Sequence, residues 1–397
     1  MPNHLKIPKH FKIKKKTNII ALMITFVLLV TIMALENHFT VFYGTDHGYN
    51  MNTENTNSPN QTEDLDKLSN KNQQNENNQT QDALDIGELN KDESINTLAQ
   101  ATSVVYLDPN NGDDTNTGST SDTAVKTFDQ AKALSSTGGT IYLCNTLTLS
   151  TANVTIDGGD KSLTLKRYGS SFTGAMIDST ATGINIKNLT MDGGAVWTGN
   201  VDETLGRGTA NSGIQAQDSI ITVYSGDAIV TNCVLQNNDN AGGYGSGVYV
   251  AGYGTFTMTG GNISSNTSTK YGGGIYSLGT TTLKGVIVGG QNAGNNTSSN
   301  SYGGGGIYVG AGTTTITDDT VIAYNEAYSG GGVYVVEYGT FTMTGGNISS
   351  NTSTKYGGGI FSEGTTNLSG VTVGGQNAGN NTSSNSYGGG GIYVGAG

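Results

Sequence analysis

Apolar residues recur in this chain on a short period and a long one. At short range, runs such as Gly254-Thr-Phe-Thr-Met-Thr259 and Gly312-Thr-Thr-Thr-Ile-Thr317 alternate and are rich in Thr, Phe and Ile. A period of two with β-branched and aromatic residues predicts strands with one buried face. In Thr280-Thr-Thr-Leu-Lys284 the alternation points Thr281 and Leu283 inward and Thr280, Thr282 and Lys284 outward. Short boxes follow, Ile263-Ser-Ser-Asn266 and Ile322-Ala-Tyr-Asn325, and then a glycine cluster. Gly and Asn tolerate positive φ at little cost, so they read as corners between about three short strands.

At long range, each glycine cluster runs into an apolar–aromatic pair. The pairs are Val248-Tyr249, Ile275-Tyr276, Ile307-Tyr308, Val333-Tyr334, Ile360-Phe361 and Ile392-Tyr393, at intervals of 27, 32, 26, 27 and 32 residues. Three such intervals form a larger unit, since Tyr253–Gly312 recurs 85 positions later as Tyr338–Gly397. The copies differ only at Tyr276/Phe361, Leu278/Glu363, Thr282/Asn367, Lys284/Ser369 and Ile287/Thr372. A period of 20 to 50 residues marks an array in which each unit buries its apolar face against its neighbours. Strand-length units on that period predict an all-β chain wound as a parallel β-solenoid. At roughly 25 residues and about 4.8 Å per coil, residues 101–397 would make about a dozen coils, ~55 Å long.

The rest of the chain divides by composition. Residues 1–18 form a basic head with Lys6, Lys9, Lys12, Lys14, Lys15 and Lys16, ahead of every acidic residue. Residues 19–35 are an apolar run of the length of a signal peptide or a signal-anchor transmembrane helix. They predict export, with the basic end in the cytoplasm. Residues 36–100 are rich in Asn, Gln, Thr, Glu and Asp and predict a disordered polar spacer. Residues 101–206 read as a cap and the first coils, with a short helix over Thr127-Phe-Asp-Gln-Ala-Lys-Ala-Leu134 to cover the open end. Residues 207–397 are the Gly/Thr/Asn-rich repeat coils, and Gly397 falls in mid-repeat, so a longer natural protein is expected.

Charge and cysteine content narrow the partners. After Leu35 the chain carries 13 basic against 31 acidic side chains, which argues against nucleic acid and anionic lipid. Cys144 and Cys233 would lie several coils apart in a solenoid, beyond bonding distance, and read as small buried hydrophobes.

The repeat Gly-Gly-Gly-Ile-Tyr followed by an apolar-x-x-Asn box resembles the polymorphic outer membrane protein repeat, with its Gly-Gly-Ala-Ile and Phe-x-x-Asn motifs. Here Ile or Val stands in place of that Phe. The stretch Tyr106-Leu-Asp-Pro-Asn-Asn-Gly-Asp-Asp, with Lys126-Thr-Phe-Asp-Gln-Ala131 after it, is similar to the entry of pectate-lyase-like proteins. Together the resemblances imply a right-handed parallel β-helix displayed on a microbial surface, adhesin-like and held to the membrane by its N-terminal segment.

A polysaccharide lyase or glycoside hydrolase is the rival within the fold, and hydrolysis needs two carboxylates flanking a bond. All four histidines precede the folded region, whose arginines are Arg167 and Arg207, and Asp318-Asp319 is the acidic pair of the late coils. That pair reads as a solvated corner, so no catalytic residue is expected. Asp108, Asn110, Asp113 and Asp114 could together hold Ca²⁺, or could be spent on turns; turns are the expectation, with no cofactor. The outward Tyr249, Tyr276, Tyr308, Tyr334 and Tyr393 would form a stripe able to stack on glycans or on a host or neighbouring-cell surface. Outward threonines, Thr255/Thr257 through Thr340/Thr342, would stack into ladders, which admits ice binding or a purely structural role.

Overall fold

The computed structural model of the protein describes residues 101–397, apart from 203–206, 214, 217, 292–293, 376–378, 387 and 396–397. The basic head, apolar run and polar spacer expected over residues 1–100 lie outside the described residues. The chain divides into Met1–Asp92 and Glu93–Gly397, and the described residues belong to the second unit.

The described chain is a parallel β-solenoid of about eight turns. Three faces carry its main ladders. One late turn places Ile307–Val309 on the first face, Thr313–Thr317 on the second and Val321–Ala323 on the third. Each strand pairs in parallel with its counterpart in the turns before and after, as in Ile275↔Ile307↔Val333. Sequence reading missed a fourth, narrower ladder: two-residue strands such as Thr267–Ser268 and Thr297–Ser298 stack through seven turns. The expected dozen coils is an overcount. Turns of the regular repeat run to 32 residues, and Ile177 pairs with Ile221 across a turn enlarged by an antiparallel excursion, Ala195–Asp202 with Arg207–Gly213.

Alternation places the core as expected. Thr281 and Leu283 are buried while Thr280 and Lys284 are exposed, and after the Gly285 corner Val286 and Val288 are buried around an exposed Ile287. One apolar cluster runs the length of the solenoid, from Val105 to Ile360. The helix α1, Phe128–Leu134, lies against the first strands, Thr102–Leu107 and Ser135–Leu143, and buries Phe128 and Ala131 in that cluster. Its N-cap, Thr127, accepts from the Gln130 amide at 3.2 Å. At its other end the Lys161 ammonium donates to the carbonyls of Lys132 and Ser135, both at 2.7 Å, where the helix dipole favours a cation.

The corner after the third face corrects the sequence reading. Positive φ falls on the residue before the boxed asparagine, at Asn237, Ser265, Tyr324 and Ser350. The boxed Asn238, Asn266, Asn325 and Asn351, with Asn296 and Asn381 at the same place in the longer turns, instead turn inward, buried, and hydrogen-bond to one another. Asn296 Nδ2 donates to Asn325 Oδ1 at 3.0 Å, and Asn325 Nδ2 donates to Asn351 Oδ1 at 3.0 Å. From Asn266 onward each also satisfies a third-face carbonyl of the preceding turn, as Asn325 does for Val288 O at 2.9 Å.

The glycine clusters are explained by the same ladder. A Cβ on Gly306 would stand 2.7 Å from Gly332 O and 3.0 Å from Asn325 Nδ2. Gly274, Gly332 and Gly359 meet the same pair of obstacles in their own turns. In these turns the last glycine of the cluster is therefore required by close approach of the next backbone and of the inward asparagine amide.

Candidate binding face and carboxylate pair

The outer side of the first face is aromatic. Tyr249, Tyr276, Tyr308, Tyr334 and Tyr393 fall in one register column, with Phe361 completing it. The rung spacing of a parallel sheet, about 4.8 Å, suits ring stacking. Adjacent centroids are 5.6, 5.1, 5.2, 4.7 and 5.6 Å apart from Tyr249 to Tyr393. The stripe is thus present, but its middle faces itself. Tyr308 is 8% exposed and Tyr334 2%, while Tyr249, Tyr276 and Tyr393 are half-buried. Burial, aided by its tyrosine neighbours, pushes the Tyr276 phenol up to about 12, and burial first, then the Glu363 carboxylate to which it donates at 3.2 Å, raise Tyr334 further.

A second aromatic column closes the first, and sequence reading missed it. Tyr244, Tyr271, Tyr302 and Tyr356 each stand immediately before a glycine cluster. Tyr271 packs on Tyr308 at 4.7 Å and Tyr356 on Tyr393 at 4.6 Å. The signal was there to find: a tyrosine before the cluster recurs as regularly as the one after it. Here lie the rings that reach solvent, Tyr302 at 57% and Tyr244 at 36%. Lys270 sits over Tyr244 at 4.5 Å, and Lys355 over Tyr328 at 5.4 Å and Tyr356 at 4.8 Å.

Toward the N-terminus the same column changes character. Tyr249 stacks in register on Thr222, and Thr222 on Asp178. Asp178 lies near Asp218, whose Oδ1 accepts from the Ser219 amide at 2.8 Å and the Thr222 hydroxyl at 3.3 Å. One Asp178 oxygen is buried without a hydrogen bond. Burial first, and the Asp218 charge second, push its carboxyl up to about 6. Burial raises the Tyr224 phenol, and both carboxylates stand close enough to add to the shift. This pair was not legible in sequence, because the enlarged turn sets 40 positions apart two aspartates that the fold brings together.

Behind the pair lies a buried cation. Arg167 donates to Gly193 O and Phe172 O, both at 3.2 Å, and to Gly174 O, and packs on the Phe172 ring at 4.7 Å. Desolvation pulls its guanidinium down to about 10.

No family model, curated protein or solved structure matches the chain.

Asp108 accepts from the Asn110 and Asn111 amides and from Asn145 Nδ2, at 3.0, 3.0 and 2.8 Å. Asp113 accepts from Thr115, and Asp114 from the Lys126 and Thr127 amides and the Thr127 hydroxyl. The three carboxylates are occupied by backbone donors of their own loop, which hold all three below the usual range. Among the described residues, no group of three or more His, Cys, Asp or Glu is placed to hold a metal. Asp318 and Asp319 are exposed at the second corner, Asp318 at positive φ. Cys233 is buried, Cys144 only half-buried, both are free, and burial raises each thiol to about 11. No helix among the described residues is long and apolar enough to cross a membrane.

Proposed function

We propose that the protein is an exported, surface-displayed parallel β-helix with repeats of the polymorphic outer membrane protein type, adhesin-like, and that it works by binding without catalysis. Its ligand class is neutral glycan, free or on a host or neighbouring cell. The observation that carries this is the double tyrosine column. The inner rings lock one another, so the exposed Tyr244 and Tyr302 stand on a platform that loses little freedom on binding. Aromatic faces bordered by two lysines and few acids suit the C–H faces of uncharged sugars. In this reading residues 19–35 hold the protein at the membrane and residues 36–100 space it outward, and no cofactor is required. A glycan array probed with the full chain tests it: neutral glycans should bind, and Tyr302→Ala should abolish or sharply weaken binding. Absence of binding across neutral glycans and cell-surface preparations overturns it.

A second reading, glycoside hydrolysis, is favoured by one observation, the Asp178–Asp218 pair. A carboxyl pushed toward neutrality with a second carboxyl close by is the kind of pair that acid–base cleavage uses. Release of reducing ends from polysaccharides by the wild type, lost in Asp178→Asn, would establish it over the binding reading.

A further inference from the structure

The second face carries a different surface from the first. Its outer side presents Thr255, Thr280, Thr313, Thr340 and Thr365 in one register file across five consecutive turns. A second file, two residues along each strand, holds Thr257, Thr282, Thr315 and Thr342 and ends at Asn367. Pairing through these turns shows no register shift, so each file is continuous. The strand rise and rung spacing of a parallel sheet set the grid at about 6.6 by 4.8 Å, and four rung intervals span ~19 Å.

Three features separate this grid from an ordinary soluble strand surface. Of these hydroxyls, only that of Thr342 meets a partner among the described residues, Asn367 Nδ2 at 3.4 Å. The two files hold no charged and no aromatic side chain, while aromatic rings crowd the neighbouring first face. The grid also has edges: the preceding turn offers Asp227 and Ile229 at these positions, and the third file is broken by Lys284 between Thr259 and Thr317.

We propose that this face binds an ordered water surface, the face of an ice crystal. Each threonine offers a hydroxyl that fixes one water and a methyl that restricts the water beside it. The backbone ladder repeats that pair on a fixed two-dimensional grid. A lattice of water is recognised by such repetition, with no ion to disturb it. Carbohydrate recognition uses aromatic platforms, and these lie on the other face. The proposal is independent of the glycan reading, because the two faces share no side chain.

The full-length protein tests it by thermal hysteresis and by partition into growing ice. The wild type should show a hysteresis gap and enter ice. Thr282→Tyr and Thr315→Tyr, which place a bulky ring on the grid, should lose both with an unchanged circular dichroism melt. Thr315→Ser, which keeps the hydroxyl and removes only the methyl, should narrow the gap and serves if the tyrosine variants fail to fold. Tyr302→Ala, on the first face, should leave the gap as in wild type. A wild type without hysteresis or ice partition overturns the proposal, as does hysteresis unchanged in all three threonine variants. Retention on microcrystalline cellulose without hysteresis overturns it in favour of a carbohydrate surface.

Discussion

The Arg167 guanidinium donates through Nη2 to the Oδ1 of Asn238 at 3.3 Å, across 71 residues of chain. In the later turns that oxygen position accepts from the preceding asparagine amide, as Asn325 Oδ1 does from Asn296. Arg167 therefore starts the ladder at the turn where no earlier asparagine supplies a donor. Removing it strands Asn238 Oδ1 and the carbonyls of Phe172, Gly174 and Gly193. Arg167→Ala should lower stability by about 3 kcal/mol, read as a fall in the urea midpoint at constant slope. Arg167→Lys should recover less than half, since a point ammonium cannot reach four acceptors that a planar fork reaches.

The glycine clusters give a paired prediction. Gly306→Ala forces a methyl against Gly332 O and the Asn325 amide, and should cost about 2–4 kcal/mol. Gly252→Ala meets nothing within 4 Å, so it should be neutral or stabilise by up to about 1 kcal/mol. Equal melting shifts in the two variants would contradict the account of why glycine is needed.

Aromatic residues of the first face should separate by column. Tyr308→Ala removes a ring stacked on three others and should cost about 2–4 kcal/mol. Tyr302→Ala removes a largely exposed ring and should change stability by less than about 1 kcal/mol while reducing glycan binding. Chemical denaturation beside a binding assay distinguishes the two roles.

Asp178 should make stability depend on pH. Its carboxyl is raised from 3.8 to about 6, so the folded protein holds this proton more tightly than the unfolded chain. Stability from this group is then greatest below about pH 4, falls as pH rises from about 4 to 6, and levels off above that. Asp178→Asn should flatten the slope and stabilise at pH 7 by on the order of 1 kcal/mol, solvent at the outer half of the site reducing the full effect. A slope unchanged by the substitution, in denaturation curves at pH 4 and pH 7, would assign it elsewhere.

Much of the fold could be read from the chain because a solenoid repeats its sequence wherever it repeats its geometry. Alternation in Thr280–Lys284 gave inward and outward positions residue by residue, and Thr127 marked the start of α1. The boxed asparagines were legible as a pattern but not as a ladder: an asparagine at a corner and one beside a corner look alike, and only the position of positive φ, at Ser265 or Tyr324, tells them apart. The tyrosine stripe was legible for the same reason as the strands. Its burial was not, since the covering rings come from the neighbouring corner. Asp178 and Asp218 had no periodic signature at all, lying on either side of the turn that breaks the period.

The near-identity of Tyr253–Gly312 and Tyr338–Gly397 has an evolutionary consequence. Ile275 stacks on Val248 as Ile360 stacks on Val333, so excising 85 residues between equivalent points would join two turns already shaped to fit. Unequal recombination between the copies could then shorten or lengthen the protein three turns at a stroke. Reach would change while every interface chemistry stayed as it was.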